Sequence, residues 1–275
     1  MKKVIALLIA LIIAAGCVSV AFAADKPLNY VLLGDSIAWG AGVYNSDEAC
    51  FGRIVANTNG YNYKNDAVNG FTTGSVLNHL KHEQIRKDVA AADIISLSIG
   101  GNNYLQQNLP RLLADYIIGK YDIIDDIEEN MKKEFAEIIE TVKALNPDVK
   151  ILVNTLYNPR FDLLRDFYNV AVVRVNRTVK GYLNEHPGAY ELIDVHSVFT
   201  FDHPEYIAAD TIHPSAVGNE VIAGIVLDKL YEIGIENERK QPVISKIGID
   251  QIPFMSIVLK AVRDFFDKTF SIISF

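Results

Sequence analysis

The 275-residue sequence is poor in cysteine, with two, and in tryptophan, with one. Two cysteines cannot build a disulfide scaffold or a four-cysteine zinc site, so stability has to come from core packing. Base is scarcer than acid: 26 lysines and arginines face 34 aspartates and glutamates, a formal net charge of −8. That balance lacks the basic surplus with which a protein meets phosphates, and no nucleic-acid partner is expected. Internal repeats and low-complexity tracts are missing too. With 50% hydrophobic and 22% charged residues, wholesale disorder and fibrous architecture are excluded. The length suits one large or two small domains with a sizeable core.

What is there begins with an uneven first stretch. Lys2 and Lys3 form a charged start, Val4 to Ala15 an apolar run, and Ala21-Phe22-Ala23 a small-x-small cleavage site. Residues 1–23 are therefore expected to be a secretory signal peptide, cleaved after Ala23, and the protein to be secreted or extracytoplasmic. An uncleaved membrane anchor is the alternative. It is weakened by the polar residues Asp25 and Lys26 that follow the site directly. Ala15-Gly16-Cys17 is a poor lipoprotein site, with Ala14 where a larger aliphatic is usual and apolar residues after the cysteine. Cleavage removes two lysines and no acid, taking the net charge to −10. It also removes Cys17 and leaves Cys50 without an intramolecular partner.

Five short apolar runs, Tyr30–Leu33, Tyr61–Lys64, Asp93–Ser98, Lys150–Asn154 and Tyr190–Val195, are candidate strands. The first, third and fourth are nearly unbroken Val, Ile and Leu, as in parallel strands covered on both faces. Helical periodicity lies between them, most clearly at Asp122–Leu145, which Asn146-Pro147 terminates. Arg165–Leu183 and Ala216–Ile233 carry two further helices. Strand and helix alternating at this spacing predict an α/β fold with a parallel sheet and right-handed crossovers. This domain is expected over 24–234, followed by a polar linker at 235–252. The segment 253–275 returns to amphipathic helical spacing. Such a helix packs back on the domain, or lies on a membrane surface or a partner.

Gly34-Asp35-Ser36 follows the first strand directly. In an open parallel sheet, residues beyond the carboxyl ends of strands face the ligand crevice, so Ser36 opens a turn with its hydroxyl exposed there. A serine nucleophile needs a base, and the base an orienting acid. Among six histidines, His79 and His82 share one helix face but have no completing ligand for a metal. His186, His196 and His203 read as loop residues. His213 stands in Asp210-Thr211-Ile212-His213-Pro214, where a turn brings the Asp210 carboxylate back to the imidazole, and Pro214 keeps His213 out of helical geometry. Gly100-Gly101-Asn102-Asn103 ends the third strand and offers close backbone approach with an amide donor. Asn69-Gly70 follows the second strand, and the Gly70 N–H is another donor.

Together these segments resemble the SGNH (GDSL-type) hydrolases, a family of secreted or cytosolic esterases and lipases. Gly34 to Gly42 matches its first block, Asn69-Gly70 the second, Gly100-Gly101-Asn102 the third and Asp210 to Pro214 the last, so the resemblance spans about residues 28–234. It implies a three-layer α/β/α sandwich with a flavodoxin-like parallel five-stranded sheet. It also implies Ser36 as nucleophile, His213 as base, Asp210 as its partner, and an oxyanion hole from Ser36, Gly70 and Asn102. No metal and no organic cofactor are implied. One departure stands out: the third block usually reads Gly-x-Asn-Asp, and Asn103 replaces the aspartate, a loop-supporting residue, so loop geometry or rate should be affected rather than the chemistry. A Gly-x-Ser-x-Gly elbow is absent, which argues against the ordinary α/β-hydrolase arrangement.

The expected activity is hydrolysis of a carboxylic ester through an acyl-enzyme, on a small-molecule, lipid or acylated-glycan substrate. The segment Tyr104–Ile118 carries Leu105, Leu109, Leu112, Leu113, Tyr116 and Ile117. It either lines an acyl-chain pocket or buries its apolar face in the core. An O-acetyl esterase acting on cell-wall or plant polysaccharide is the second enzymatic reading. A non-catalytic binding protein of the same fold is the rival from another class.

Overall fold

Val31, Leu32 and Leu33 are buried on alternating sides of one strand, since successive strand residues point to opposite faces. That pattern requires cover on both faces, and the fold supplies it. The computed structural model describes residues 26–243. The signal-peptide pattern at 1–23, the 244–252 part of the linker and the amphipathic segment 253–275 lie outside the described residues. The strands are β1 (Asn29–Gly34), β2 (Asn62–Asn65), β3 (Ile94–Ser98), β4 (Lys150–Asn154) and β5 (Glu191–Ile193). They form one all-parallel sheet in the order β2-β1-β3-β4-β5. From β1 the chain steps one way to β2, then crosses back past β1 to β3 and continues in that direction to β4 and β5. A crevice therefore opens at the carboxyl ends of β1 and β3.

The helices in chain order are α1 (Ser36–Trp39), α2 (Ser46–Ala49), α3 (Phe51–Asn59), α4 (Thr73–His79) and α5 (Glu83–Ala91). They continue as α6 (Gly101–Leu105), α7 (Leu109–Ile117), α8 (Asp122–Leu145), α9 (Arg165–Glu185) and α10 (Ala216–Glu232). On one face of the sheet, Tyr30, Leu32, Ile94, Leu152 and Ile193 pack against Phe51 and Ile54 of α3 and Ile222 and Val226 of α10. On the other, Val31, Leu33, Ile95, Leu97 and Val153 meet Val76 of α4, Val89 of α5, Phe135 and Ile138 of α8 and Val179 of α9. This is the three-layer α/β/α sandwich. A smaller cluster of Tyr104, Leu112, Ile124, Met131 and Val175 joins α6, α7, α8 and α9 beside the crevice.

The helix read at Asp122–Leu145 has those bounds. Its first turn carries Asp122 and Asp125, favourable at the positive end of the helix dipole. The Asn146 side chain closes its other end on the Ala92 carbonyl at 2.7 Å. The strand expected over Tyr190–Val195 shortens to Glu191–Ile193, because the chain turns at once and Val195 N–H donates to the Ile193 carbonyl. His79 and His82 do not share a helix: His79 ends α4, His82 precedes α5, and their rings meet edge-on at 5.7 Å. The first part of the expected linker lies along the domain. Ile235 packs on the core, Tyr61 donates to Glu236, and Val243 N–H donates to the Thr58 hydroxyl at 2.9 Å.

Leu32 sits at the centre of the larger cluster with no exposure. Leu32→Ala is expected to lower stability by about 3 kcal/mol through lost transfer energy and a residual cavity. Urea denaturation should show a lower midpoint with an unchanged slope; an unchanged midpoint would place the core elsewhere.

Candidate active site

The crevice is built where the end of β1 lies beside the end of β3, with Gly34 in register with Ser98. Gly34 has φ +128°, and a Cβ there would lie 2.0 Å from the Ser98 carbonyl oxygen, so only glycine allows the close approach. Asp35 N–H donates to that same oxygen at 3.0 Å. The Asp35 side chain then caps α1, accepting the Ile37 N–H at 3.0 Å. Ser36 becomes the first residue of α1, half-buried, with its hydroxyl at the mouth of the crevice.

The opposite wall is the turn Asp210–His213. One carboxylate oxygen of Asp210 accepts the N–H groups of Ile212 and His213, each at 3.0 Å. The other meets His213 Nδ1 at 2.6 Å, and His213 Nε2 lies 2.8 Å from Ser36 Oγ. An anionic acceptor on Nδ1 fixes the imidazole tautomer with its proton there, leaving Nε2 as an acceptor for the serine hydroxyl. Burial raises the Asp210 carboxyl, but the His213 imidazole and the two N–H groups outweigh it and hold Asp210 below the usual carboxylate range. Asp35 goes the other way. Its complete burial pushes the carboxyl up to about 7, against the opposing pull of the Ile37 N–H and of charge on His213.

The turn itself is held from behind. Thr211, with φ +66°, is the one non-glycine residue in the left-handed region among the described residues. Arg160 Nη1 donates to its hydroxyl at 2.8 Å, and Arg160 is in turn clasped by Asp162. Tyr157, buried and tilted against Phe199 at 4.6 Å, donates to the Ile212 carbonyl at 2.8 Å. In front, Gly42 passes so close that a Cβ would lie 2.8 Å from His213 Cβ. Tyr157 and Arg160 were not singled out from the sequence, and no local motif marks them; each acts across more than 50 residues of chain.

The segment carrying Gly70 and the start of α6 are tied together by two side-chain amides. Asn102 Nδ2 donates to the Phe71 carbonyl at 3.0 Å, and the Gln106 side-chain amide donates to the Gly70 carbonyl. Asn103 is buried and bonded to Thr73 at both ends of its amide. Beside Ser36 and Asn102 opens an apolar cavity walled by Leu105, Leu109, Leu112, Ile124, Phe167 and Val170. The segment Tyr104–Ile118 thus does both things considered for it: Leu112 is core and also lines this cavity. Ile117 and Ile118, each 73% exposed, do neither. Among the described residues no group of three or more His, Cys, Asp or Glu side chains is arranged to hold a metal ion. His203 pairs with Glu205 at 3.0 Å, and His196 reaches the Leu156 carbonyl at 3.2 Å.

Residues 32–221 match the model of the GDSL-like lipase/acylhydrolase family. The chain is 25% identical over 182 residues to the uncharacterized protein YpmR of Bacillus subtilis, covering 64% of this chain and 68% of that protein. It is 26% identical over 162 residues to the spore germination lipase LipC of Bacillus licheniformis, covering 57% and 72%. The crystal structure of the lipase Lip_vut3 from a goat rumen metagenome superposes with a TM-score of 0.62 at 23% identity, over 72% of this chain and 95% of that one.

Asp35 supplies a pH test of this geometry. A carboxyl whose folded value is raised keeps its proton when the unfolded chain has released it, so its contribution to stability is lost as pH rises towards 7. Asp35→Asn keeps the capping oxygen and removes the titration. Its melting temperature relative to the wild type should climb between pH 4 and pH 8; a pH-independent difference would show that Asp35 ionises freely in the fold.

Proposed function

The chain belongs to the GDSL-like lipase/acylhydrolase family and is a carboxylic ester hydrolase, and we propose that it works through a Ser36–His213–Asp210 triad and an acyl-enzyme. The observation that carries this reading is the unbroken line of contacts from Asp210 through His213 to Ser36, at 2.6 and 2.8 Å. Ser36 Oγ attacks the ester carbonyl as His213 Nε2 takes its proton. Asp210, held anionic by its bonds to the same histidine, stabilises the imidazolium that forms. His213 then passes the proton to the departing alcohol. Water, deprotonated by the same base, releases the acid.

Negative charge on the tetrahedral oxygen is met by the Ser36 N–H, the Gly70 N–H and Asn102. Ser36 opens α1, where backbone N–H groups have no carbonyl within the helix to bind. An amide nitrogen has two protons, so Asn102 can hold the Phe71 carbonyl with one and offer the other to the substrate. Donors of this kind contribute roughly 3 kcal/mol each to the transition state.

The apolar cavity next to Ser36 supports an ester with an extended aliphatic acyl chain, since its leucine and phenylalanine walls offer an acetyl group little to grip. The charged start, apolar run and Ala21-Phe22-Ala23 site at residues 1–23 support action outside the cytoplasm.

Ser36→Ala should abolish hydrolysis of a short p-nitrophenyl ester while leaving the circular dichroism spectrum unchanged, and Asp210→Asn should lower kcat by about 10⁴. Turnover surviving in Ser36→Ala would remove the triad. For the acyl chain, kcat/KM measured on acetyl, octanoyl and palmitoyl esters should favour octanoyl over acetyl, one extra buried methylene being worth about 0.8 kcal/mol. A preference for acetyl would turn the reading towards an O-acetyl esterase.

A further inference from the structure

The position at which this chain departs from its family's third block has a partner on another helix. Asn103 Oδ1 accepts the Thr73 N–H at 3.2 Å, and Asn103 Nδ2 donates to the Thr73 hydroxyl at 2.7 Å. Thr73 is fully buried. Its one hydroxyl proton goes to Glu134, which reaches in from α8. Gly74 makes room for that carboxylate: a Cβ there would lie 2.8 Å from Glu134 Oε1.

The donors and acceptors leave one direction only. A carboxylate accepts and does not donate, and a hydroxyl donates once. Thr73 donates its hydroxyl proton to the Glu134 carboxylate and must itself receive a proton from position 103. An asparagine supplies that proton; an aspartate does not, and would set two carboxylates around a single hydroxyl in a buried place. The segment tied down in this way starts at Gly70, and its Phe71 carbonyl receives Asn102.

We propose that Glu134 is a positioning residue for the oxyanion donors Gly70 and Asn102, acting through Thr73, and that Asn103 and Glu134 form a matched pair in which an amide at 103 is required by a carboxylate at 134. The proposal rests on the oxyanion assignment made above. It implies that a carboxylate is tolerated at 103 only when the charge at 134 is removed. A carboxylate at 103 would then accept from the Thr73 hydroxyl, and a glutamine at 134 would donate to it, so the chain of hydrogen bonds runs in reverse with every group satisfied.

The test compares kcat and KM of Asn103→Asp, Glu134→Gln, Glu134→Ala and the double variant Asn103→Asp/Glu134→Gln on one p-nitrophenyl ester. Asn103→Asp should lower kcat about tenfold, the equivalent of roughly 1.4 kcal/mol, with KM changed less than twofold. Adding Glu134→Gln should restore most of that loss. Glu134→Ala should lower kcat more than Glu134→Gln does, which decides the matter even if Asn103→Asp folds poorly. A wild-type kcat in both Asn103→Asp and Glu134→Ala, or a double variant no faster than Asn103→Asp, overturns the pairing. Asn102→Ala serves as the control for the site itself: if it retains wild-type kcat, the oxyanion assignment fails, whereas a slow Asn102→Ala beside a fast Asn103→Asp overturns the pairing alone.

Discussion

Parallel strands bring their carboxyl ends to one edge of a sheet, and everything chemical in this molecule depends on that edge. Ser36 follows β1, Gly70 follows β2, Asn102 follows β3, and the loop carrying Asp210 and His213 follows β5. The hydrogen bond between Ser36 and His213 spans 177 residues. It forms because the sheet delivers both loops to the same crevice, and because the bare backbone at Gly42 lets one loop pass against the other. The alternation of Val31, Leu32 and Leu33 between two helical layers anchors the strand that presents the serine.

Two carboxyl groups stand near one histidine and are tuned in opposite senses. Asp210 has two backbone N–H groups and an imidazole to stabilise its charge, so it stays ionised despite being partly buried. Asp35 has the Ile37 N–H as its side-chain hydrogen-bond donor and is completely buried, so its proton is held up to about 7. Environment separates them: Asp210 meets the His213 imidazole, while Asp35 caps α1 and sets Ser36 at the helix start. The cavity beside Ser36 adds a third environment, with almost wholly apolar walls.

Much of this was legible along the chain because it is local. The Asp122–Leu145 helix shows a three-and-four-residue apolar spacing and ends at a proline. The Asp210–His213 turn closes over three residues, within reach of one side chain. Other features have no local signature. Arg160 touches Thr211 and Tyr157 touches Ile212 across 51 and 55 residues, and neither lies in a repeating pattern. The pairing of His79 with His82 on one helix face went wrong for a similar reason. A helix break between them depends on how α4 and α5 dock on the sheet, and spacing alone does not record it.

The alternation of strands and helices, the places of Ser36, Gly70 and Asn102 just beyond strands, and the turn that carries His213 are all legible in residue order alone. These follow from side-chain periodicity and backbone freedom, which act over a few residues at a time. It takes the packed chain to show that Leu105, Leu109 and Leu112 wall a cavity beside Ser36, and that Glu134 meets the Thr73 hydroxyl to which Asn103 donates. An apolar helix face looks the same whether it fills a core or lines a pocket. A glutamate turned inward looks like a surface one until the element it faces is in place.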